Sequence, residues 1–379
     1  MNKLDELIQQ LCPNGVPYRR LGDIATICRG GSFQKKDFTE SGVPCIHYGQ
    51  IYTRYGLFVN ETITYIGEET AQKQKFAEPN DVVMAVTSEN IEDVCKCVAW
   101  LGDGKVAVSG HAAIIHHSMN PKYLVYWLHS SSFYQQKAKI ANGTKVIEVA
   151  PAKLSDVVLP VPPLEIQHEI VRILDTFTEL TAELTAELTA RKQQYAYYRD
   201  KLLAFGDDVP KDTLENLCDF QYGKGNSIPT APGEYPVYGC NGIVGTTNVF
   251  NSIDAPVIGH IGSAGIVNWG KGKHFVTYNG TICKVRPEKM ISRYAYHLLC
   301  SLHLERFVKG SQPFLSYSDF AKETVAVPPL NIQQRVVSIL DRFDTLCTDL
   351  SSGLPAEIEA RQKQYEYYRD NLLSFTPAD

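Results

Sequence analysis

Positive charge is what this sequence is short of: 37 Lys and Arg stand against 42 Asp and Glu, a formal net charge of −5 at pH 7. A chain that holds nucleic acid unaided ordinarily carries a basic surface to displace counterions from phosphates, so the total excludes a simple electrostatic binder. The deficit is local. Residues 1–160 and 206–326 are each neutral, 161–205 carry −2 and 327–379 carry −3, and within 220–315 nine basic residues face four acidic ones. No apolar run reaches the roughly 20 residues of a membrane span. The opening Met1-Asn2-Lys3-Leu4-Asp5-Glu6 lacks the apolar stretch of a secretion signal, and the expectation is a soluble, cytoplasmic protein with no membrane contact.

Paired cysteines are missing too. Cys12, Cys28, Cys45, Cys95, Cys97, Cys218, Cys240, Cys283, Cys300 and Cys347 are scattered without a CxxC, which argues for reduced thiols rather than a disulfide framework. Cys95 and Cys97 with His111, His116 and His117 lack the spacing of a zinc site, and no metal is expected. Catalytic motifs are absent as well. Gly265-Ile-Val-Asn-Trp-Gly-Lys271 copies the phosphate-loop spacing, but Gly272 stands where the magnesium-holding Ser or Thr belongs. Both Pro-Pro pairs follow Val and precede Leu, so neither forms the Asn/Asp-Pro-Pro-aromatic site of an adenine methyltransferase. Gly110-His-Ala-Ala-Ile-Ile-His-His117 could suggest acid-base work, yet no nucleophile is tied to it. The reading is a non-enzyme without a cofactor of its own.

What the chain does have is an internal repeat, which decides architecture before any local detail. Val161-Pro-Pro-Leu-Glu-Ile-Gln167 and Ile170-Val-Arg-Ile-Leu-Asp-Thr-Phe177 return 166 residues later as Val327-Pro-Pro-Leu-Asn-Ile-Gln333 and Val336-Val-Ser-Ile-Leu-Asp-Arg-Phe343. Arg191-Lys-Gln-Gln-Tyr-Ala-Tyr-Tyr-Arg-Asp-Lys-Leu-Leu-Ala-Phe205 returns 170 residues later at Arg361–Phe375. Pro-Pro suits an extended approach and a first helical turn, and apolar residues then recur at three and four. The stripes expected to pack are Ile170, Ile173, Phe177, Leu180, Leu184 and Leu188 in one copy and Val336, Ile339, Phe343, Leu346 and Leu350 in the other. Two such stripes can bury each other as a coiled coil. A straight first helix would span about 60 Å. Gly353-Leu354-Pro355 is expected to stop and restart the second. Thr178-Glu-Leu, Thr181-Ala-Glu-Leu and Thr185-Ala-Glu-Leu form a tetrapeptide run in which each unit adds about 6 Å of helix.

Ahead of the helices the echo is fainter. Leu21-Gly-Asp-Ile-Ala-Thr-Ile-Cys-Arg-Gly30 answers Leu214-Glu-Asn-Leu-Cys-Asp-Phe-Gln-Tyr-Gly223, and Gly42–Gly49 answers Gly233–Gly239. Runs such as Asp81–Val86 and Ala255–His260 read as strands, and Lys122–Ile140 and Ser292–Lys309 as shorter helices. The fold class is therefore α+β: two α/β modules of one plan, 1–160 and 206–326, with helical segments 161–205 and 327–379.

These residues resemble the specificity subunit of type I restriction-modification systems, and the helical segments are most similar to its IC group. The resemblance is carried by the Val-Pro-Pro-Leu…Ile-Gln openings, the Ile-Leu-Asp…Phe continuations, the Thr-Ala-Glu-Leu run and the Gln-Tyr…Tyr-Tyr-Arg-Asp…Leu-Leu endings. It implies a pseudo-two-fold arrangement in which two target-recognition domains each read half of a split double-stranded DNA sequence, spaced by two antiparallel helices. It also implies the partners: two DNA adenine methyltransferase subunits that bind S-adenosylmethionine, and restriction subunits that use ATP. In that family the repeat number sets the spacer, and two Thr-Ala-Glu-Leu units correspond to the shorter register.

Reading bases takes forked donors and acceptors, and holding phosphate takes cations or backbone amides. The loops of the first module offer Arg29, Ser32, Lys35, Lys36, His47, Tyr48, Gln50, Arg54, Thr87, Ser88, Asn142, Thr144 and Lys145. Those of the second offer Tyr222, Lys224, Asn226, Tyr238, Asn241, His260, Ser263, Lys271, Lys273, His274, Lys309, Ser311 and Gln312. Polar, Gly-rich turns of this kind are also common as plain solvated loops. Tyr195, Tyr197, Tyr198, Tyr365, Tyr367 and Tyr368 could stack on bases, or could be helix core and a platform for partners. An assembly scaffold whose modules bind protein is the alternative function, favoured by the acidic total.

Overall fold

The computed structural model describes residues 3–225, 232–348 and 353–378. Two compact units emerge, Met1–Glu183 with Glu359–Asp379 and Leu184–Ile358. The helix Leu164–Leu203 gives its first half to one unit and its second half to the other. Of the two helices that follow the second module, Leu330–Thr348 lies in the second unit and most of Leu354–Leu372 in the first. Each unit thus combines one module, the start of one long helix and the end of another.

In the first unit a five-stranded sheet runs in the order Ala25–Arg29, Ala112–His117, Val82–Ala85, Cys97–Trp100, Phe58–Val59. Its central strand Val82–Ala85 is buried at every position, as a continuous apolar run covered on both faces must be. A second five-stranded sheet holds Val43–Ile46 parallel to Val106–Val108. In the second unit one six-stranded sheet runs Cys218–Tyr222, Gly280–Val285, Ser252–Gly259, Val267–Val276, Tyr235–Gly239, Gly242–Thr247. The phosphate-loop lookalike therefore lies largely within the strand Val267–Val276 rather than between a strand and a helix.

The duplication reaches individual backbone bonds. Gly30 N donates to Ala112 O and Gly31 N to Val108 O, while Gly223 N donates to Gly280 O and Lys224 N to Val276 O. Cys45 and Ile46 pair parallel with Ala107 and Val108, as Val237 and Tyr238 pair with Phe275 and Val276. A Cβ on Gly30 would sit 2.3 Å from Ser109 O and one on Gly223 2.1 Å from Thr277 O, so both places require glycine. Val161 N donates to Pro17 O and Val327 N to Pro210 O, which closes each module at its base.

The short helices are more broken than their apolar runs suggest. Lys122–Ile140 divides into Pro121–Leu128, capped by the Asn120 side chain, and Ser131–Ile140, capped by Ser130. The Ser292–Lys309 stretch is helical only over Ser292–Ser301, followed by a 3-10 turn at Leu304–Phe307.

Each long helix is locked to its module by one buried glutamine. Gln167 Nε2 donates to Pro162 O at 2.7 Å and Oε1 accepts from Asn120 N at 2.8 Å. Gln333 Nε2 donates to Pro328 O at 2.8 Å and to Lys289 O at 2.9 Å, and Oε1 accepts from Ile291 N at 2.9 Å. Around it Ile166, Ile170, Val171 and Leu174 enter one core and Val336, Val337 and Leu340 the other. Full burial of one such side chain contributes about 1.5–3 kcal/mol.

The buried stripe differs from the expected one. Ile170 and Val336 are buried, Ile173, Phe177, Leu180, Leu184, Leu188 and Phe343 are half-buried, and Ile339 and Leu346 are exposed. Leu350 lies outside the described residues. A helix that serves a module core cannot turn its whole stripe toward another helix, so the inward face rotates to Val337, Leu340, Asp344 and Cys347. Helix-to-helix contact includes aromatic residues on the flank. Phe177 stacks on Tyr368 at 5.2 Å in the first unit, and the repeat-equivalent Phe343 stacks on Tyr198 at 5.6 Å in the second.

Gln167→Leu or Gln333→Leu strands buried backbone groups and should cost roughly 1–3 kcal/mol. Urea unfolding followed by tryptophan fluorescence and circular dichroism reads this. The exposed Gln334→Leu should stay within about 0.5 kcal/mol of the parent.

Candidate functional site

The loops richest in polar residues meet on one rim of each module. In the first module the turn after Ile140 closes on itself, Asn142 N donating to Glu148 O and Glu148 N to Asn142 O, with Gly143 at φ +116°. Val149 N then donates to Val86 O, and Ile147–Glu148 pairs with Thr87–Ser88. In the second module Lys309 and Phe314 exchange the same two bonds around Gly310 at φ +82°, and Leu315 N donates to His260 O. The rims are thus equivalent: 29–32, 86–89 and 142–148 in one, 222–225, 260–263 and 309–314 in the other.

The first rim gathers Arg29, Thr87, Ser88, Asn142, Thr144 and Lys145. Arg29 is joined to Glu148 in an ion pair, with both side chains nearly half exposed. Thr87 is buried, its carbonyl accepting from Tyr52 Oη at 2.8 Å. Tyr48 and Tyr52 line a 490 Å³ pocket with Thr87, Ser88, Glu89 and Val146. Asn142 bonds Ile140 O through its amide, whereas Thr144 and Lys145 are exposed. Ser32, Lys35, Lys36 and Arg54 are also exposed.

His47 and Gln50 belong inside rather than on the surface. His47 Nδ1 accepts from Gly49 N at 3.2 Å, and Gln50 Oε1 accepts from His47 N at 2.9 Å, a reciprocal cap on the helix Tyr48–Thr53. Gln50 Nε2 also donates to Thr64 Oγ1 at 3.0 Å. Burial, with Lys35 and His111 nearby, lowers the His47 pKa, so the ring is a neutral acceptor. The sequence places both residues against DNA; the structure buries them and uses His47 Nδ1 and the Gln50 amide to hold the loop.

The second rim gathers Tyr222, Lys224, His260, Ser263, Lys309, Ser311 and Gln312. His260 is buried, donating from Nδ1 to Leu315 O at 2.6 Å, and its ring lies 4.2 Å from Tyr222 and 4.7 Å from Phe314. Tyr222 Oη shares a hydrogen bond with Ser316 Oγ at 3.0 Å. Lys309 pairs with Asp319 at 2.6 Å and holds that carboxyl below its usual range. Lys224, Ser311 and Gln312 are exposed, and Asn226 lies outside the described residues.

Tyr238, Asn241, Lys271, Lys273 and His274 come from the strands Tyr235–Gly239 and Val267–Val276 and the turn after the first, where Cys240 lies against Gly262 of the rim. Tyr238 is buried and donates from Oη to Trp269 O at 3.1 Å. His274 is fully buried, bonded to Gly272 O at 2.9 Å, and desolvation lowers its pKa. These two and His260 are therefore supports, not the surface contacts expected of them. Lys273 lies over the Phe250 ring at 4.9 Å, while Asn241 and Lys271 are exposed.

The tyrosine triplets divide their work. Tyr195 bonds His297 Nδ1 at 2.8 Å and Tyr365 is buried, Tyr198 and Tyr368 make the helix stacks, and Tyr197 and Tyr367 are exposed. The cysteine and histidine set considered for zinc is dispersed. Cys95 is buried with its thiol pushed up to about 12, Cys97 is buried, His111 packs on Tyr48, His116 pairs with Asp81, and His117 accepts from Met119 N.

Glu148, Tyr278 and Phe314 stand on the rims but escaped the sequence reading. Aligning Gly30 with Gly223 carries Arg29 onto Tyr222, but only the shared turn bonds carry Glu148 onto Phe314. Gln50→Ala should lower stability by about 1–2 kcal/mol through the lost cap and buried bond, whereas Lys35→Ala and Lys36→Ala should change it by under about 0.5 kcal/mol. Denaturant midpoints distinguish the two classes.

Comparison with known proteins agrees with this duplicated plan. The family model for the type I restriction modification DNA specificity domain matches residues 13–191 and 208–360. The EcoR124I/EcoR124II type I restriction enzyme specificity subunit of Escherichia coli is 37% identical over 290 residues, covering 67% of this chain and 70% of that one. A type I specificity subunit of Mycoplasma pneumoniae is 34% identical over 251 residues, covering 59% of this chain and 98% of its own. Among solved structures, the type I restriction-modification S subunit from M. genitalium superposes with a TM-score of 0.57 at 16% identity, covering 95% of this chain and 96% of that one. A chain of a type I R-M system complex superposes with a TM-score of 0.60 at 17% identity, covering 96% and 98%. No helix among the described residues is long and apolar enough to cross a membrane. With both repeats matched and the same plan in both modules, the chain belongs to the type I restriction-modification DNA specificity family.

Proposed function

We propose that this chain is the cytoplasmic sequence-reading subunit of a type I restriction-modification complex. Modules 1–160 and 206–326 are the target-recognition domains, each reading one half of a split double-stranded DNA target. Segments 161–205 and 327–379 pair antiparallel as a coiled coil and set the distance between the halves. The supporting observation is the bond-for-bond duplication of the rims, since like frameworks that carry unlike side chains suit two unlike half-sites. Half-sites on one face of B-DNA recur about every 34–36 Å, and a helical spacer holds such a distance where a flexible linker would not.

The exposed and half-buried residues of the rims and the loops beside them take the contacts. Lys35, Lys36, Arg54 and Lys145 face phosphates in one module and Lys224, Lys271 and Lys273 in the other. Ser32, Thr144, Asn241, Ser311 and Gln312, with the half-buried Tyr48, Ser88 and Ser263, address base edges. Near-neutral modules hold too few phosphates alone. Two adenine methyltransferase subunits carrying S-adenosylmethionine supply the rest, docking where Tyr197 and Tyr367 are exposed, and ATP-using restriction subunits complete the assembly.

Electrophoretic shift tests the reading: sequence-specific retardation should appear with the methyltransferase subunits present and be weak without them. Absence of any sequence preference in the complex would instead favour a protein-binding scaffold. Inserting one Thr-Ala-Glu-Leu after Leu188 adds about 6 Å of helix and should lengthen the gap between unchanged half-sites in the methylome. An altered half-site would refute the ruler.

A further inference from the structure

The two rims hold opposite chemistry at the same framework positions. Arg29 and Tyr222 each precede the glycine that donates across to the neighbouring strand, and Glu148 and Phe314 each close the rim turn. In the first module that pair is an exposed ion pair. In the second it is aromatic, and His260 sits between the two rings, 4.2 Å from Tyr222 and 4.7 Å from Phe314. Tyr278 adds a third ring 5.5 Å from His260 and 5.9 Å from Tyr222. Phe314, on the turn that also carries Lys309, Ser311 and Gln312, is 40% exposed, and Tyr278, just after the strand Val267–Val276, is 41% exposed. The Tyr222 hydroxyl is already bonded to Ser316, and the buried His260 Nε2 has no hydrogen-bond partner. Of the four rings, Phe314 alone carries no hydrogen-bonding group, and it is the exposed apolar surface of the cluster.

We propose that Phe314, backed by Tyr222, His260 and Tyr278, is a specificity-determining contact of the second module that takes the 5-methyl group of a thymine. This rests on the DNA-reading function proposed above. The argument is one of matching surfaces. The major-groove edges of the four base pairs carry donors and acceptors, and their one apolar group is the thymine methyl. Stacking on a base face would require unstacking the duplex at a cost of a few kcal/mol per step. An exposed ring on a turn closed by two backbone bonds is suited to the methyl without that cost. The ion pair at the equivalent place in the first module has no such surface, so the two half-sites are read by different chemistry through one scaffold.

The test uses the chain assembled with its methyltransferase subunits and duplexes carrying the methylated target sequence. Each thymine of both half-sites is replaced in turn by deoxyuridine, which deletes only the methyl. One position in one half-site should bind about fourfold more weakly, the value expected for a single buried methyl-sized group. That difference should disappear in Phe314→Ala and persist in Arg29→Ala. Equal binding of every deoxyuridine duplex, discrimination that survives Phe314→Ala, or a target without thymine in either half overturns the proposal while the DNA-reading function stands. Loss of all sequence preference by the parent complex removes both. Comparing thymine with deoxyuridine on the unmutated complex keeps the result independent of whether a variant folds.

Discussion

A single amide side chain at the root of each long helix determines much of what the rest of the molecule can do. Gln167 and Gln333 each sit after Pro-Pro, where the first helical N–H groups are free, and each uses both ends of its amide on backbone groups of the module and the entry segment. An amide so placed fixes the direction in which the helix leaves the module. Because both ends are occupied and both are buried, a rotated or slipped helix would leave several polar groups unsatisfied at once. The spacing role proposed for the helices depends on this stiffness at their roots, and the apolar contacts of Ile170, Leu174, Val336 and Leu340 reinforce it.

The same economy runs through the modules. Backbone bonds are repeated position by position, while the side chains that project from them are not. The Arg29–Glu148 pair and the Tyr222–Phe314 pair occupy matching places, and Lys122 with Asp175 has its counterpart in Arg293 with Asp341. The helix contacts are the exception, repeating their side chains as well, with the Phe-on-Tyr stack kept in both units. Keeping the frame and varying the rim lets one fold present two different surfaces without a second solution to packing.

Long-range identity made the helices legible in advance: Val-Pro-Pro-Leu at two places, followed by three-and-four spacing, left little room for another reading. The modules were legible only as two copies of one plan, since short strands with Gly-rich joins carry weak periodicity. Base contacts were the least legible, for a physical reason. His47, Gln50, Tyr238, His260 and His274 have the chemistry of DNA readers, but all five are buried and each gives at least one polar atom to a cap, turn or carbonyl inside the loops. Phe314 and Tyr278 have the chemistry of a core and stand at the surface. Similarly, Ile339 and Leu346 match a coiled-coil stripe yet are exposed, because the helix must also serve its module. Composition cannot tell which demand wins; the closing bonds of the turns and the burial pattern can.

The central claim is that one framework, closed at Pro17–Val161 and again at Pro210–Val327, carries interchangeable reading surfaces. Replacing residues 211–326 by a second copy of 18–160 tests it most directly, with methylome sequencing of the complex as the readout. The account predicts a target made of the first half-site and its inverted repeat, at the original spacing. A folded, assembled complex that keeps the original asymmetric target would contradict it.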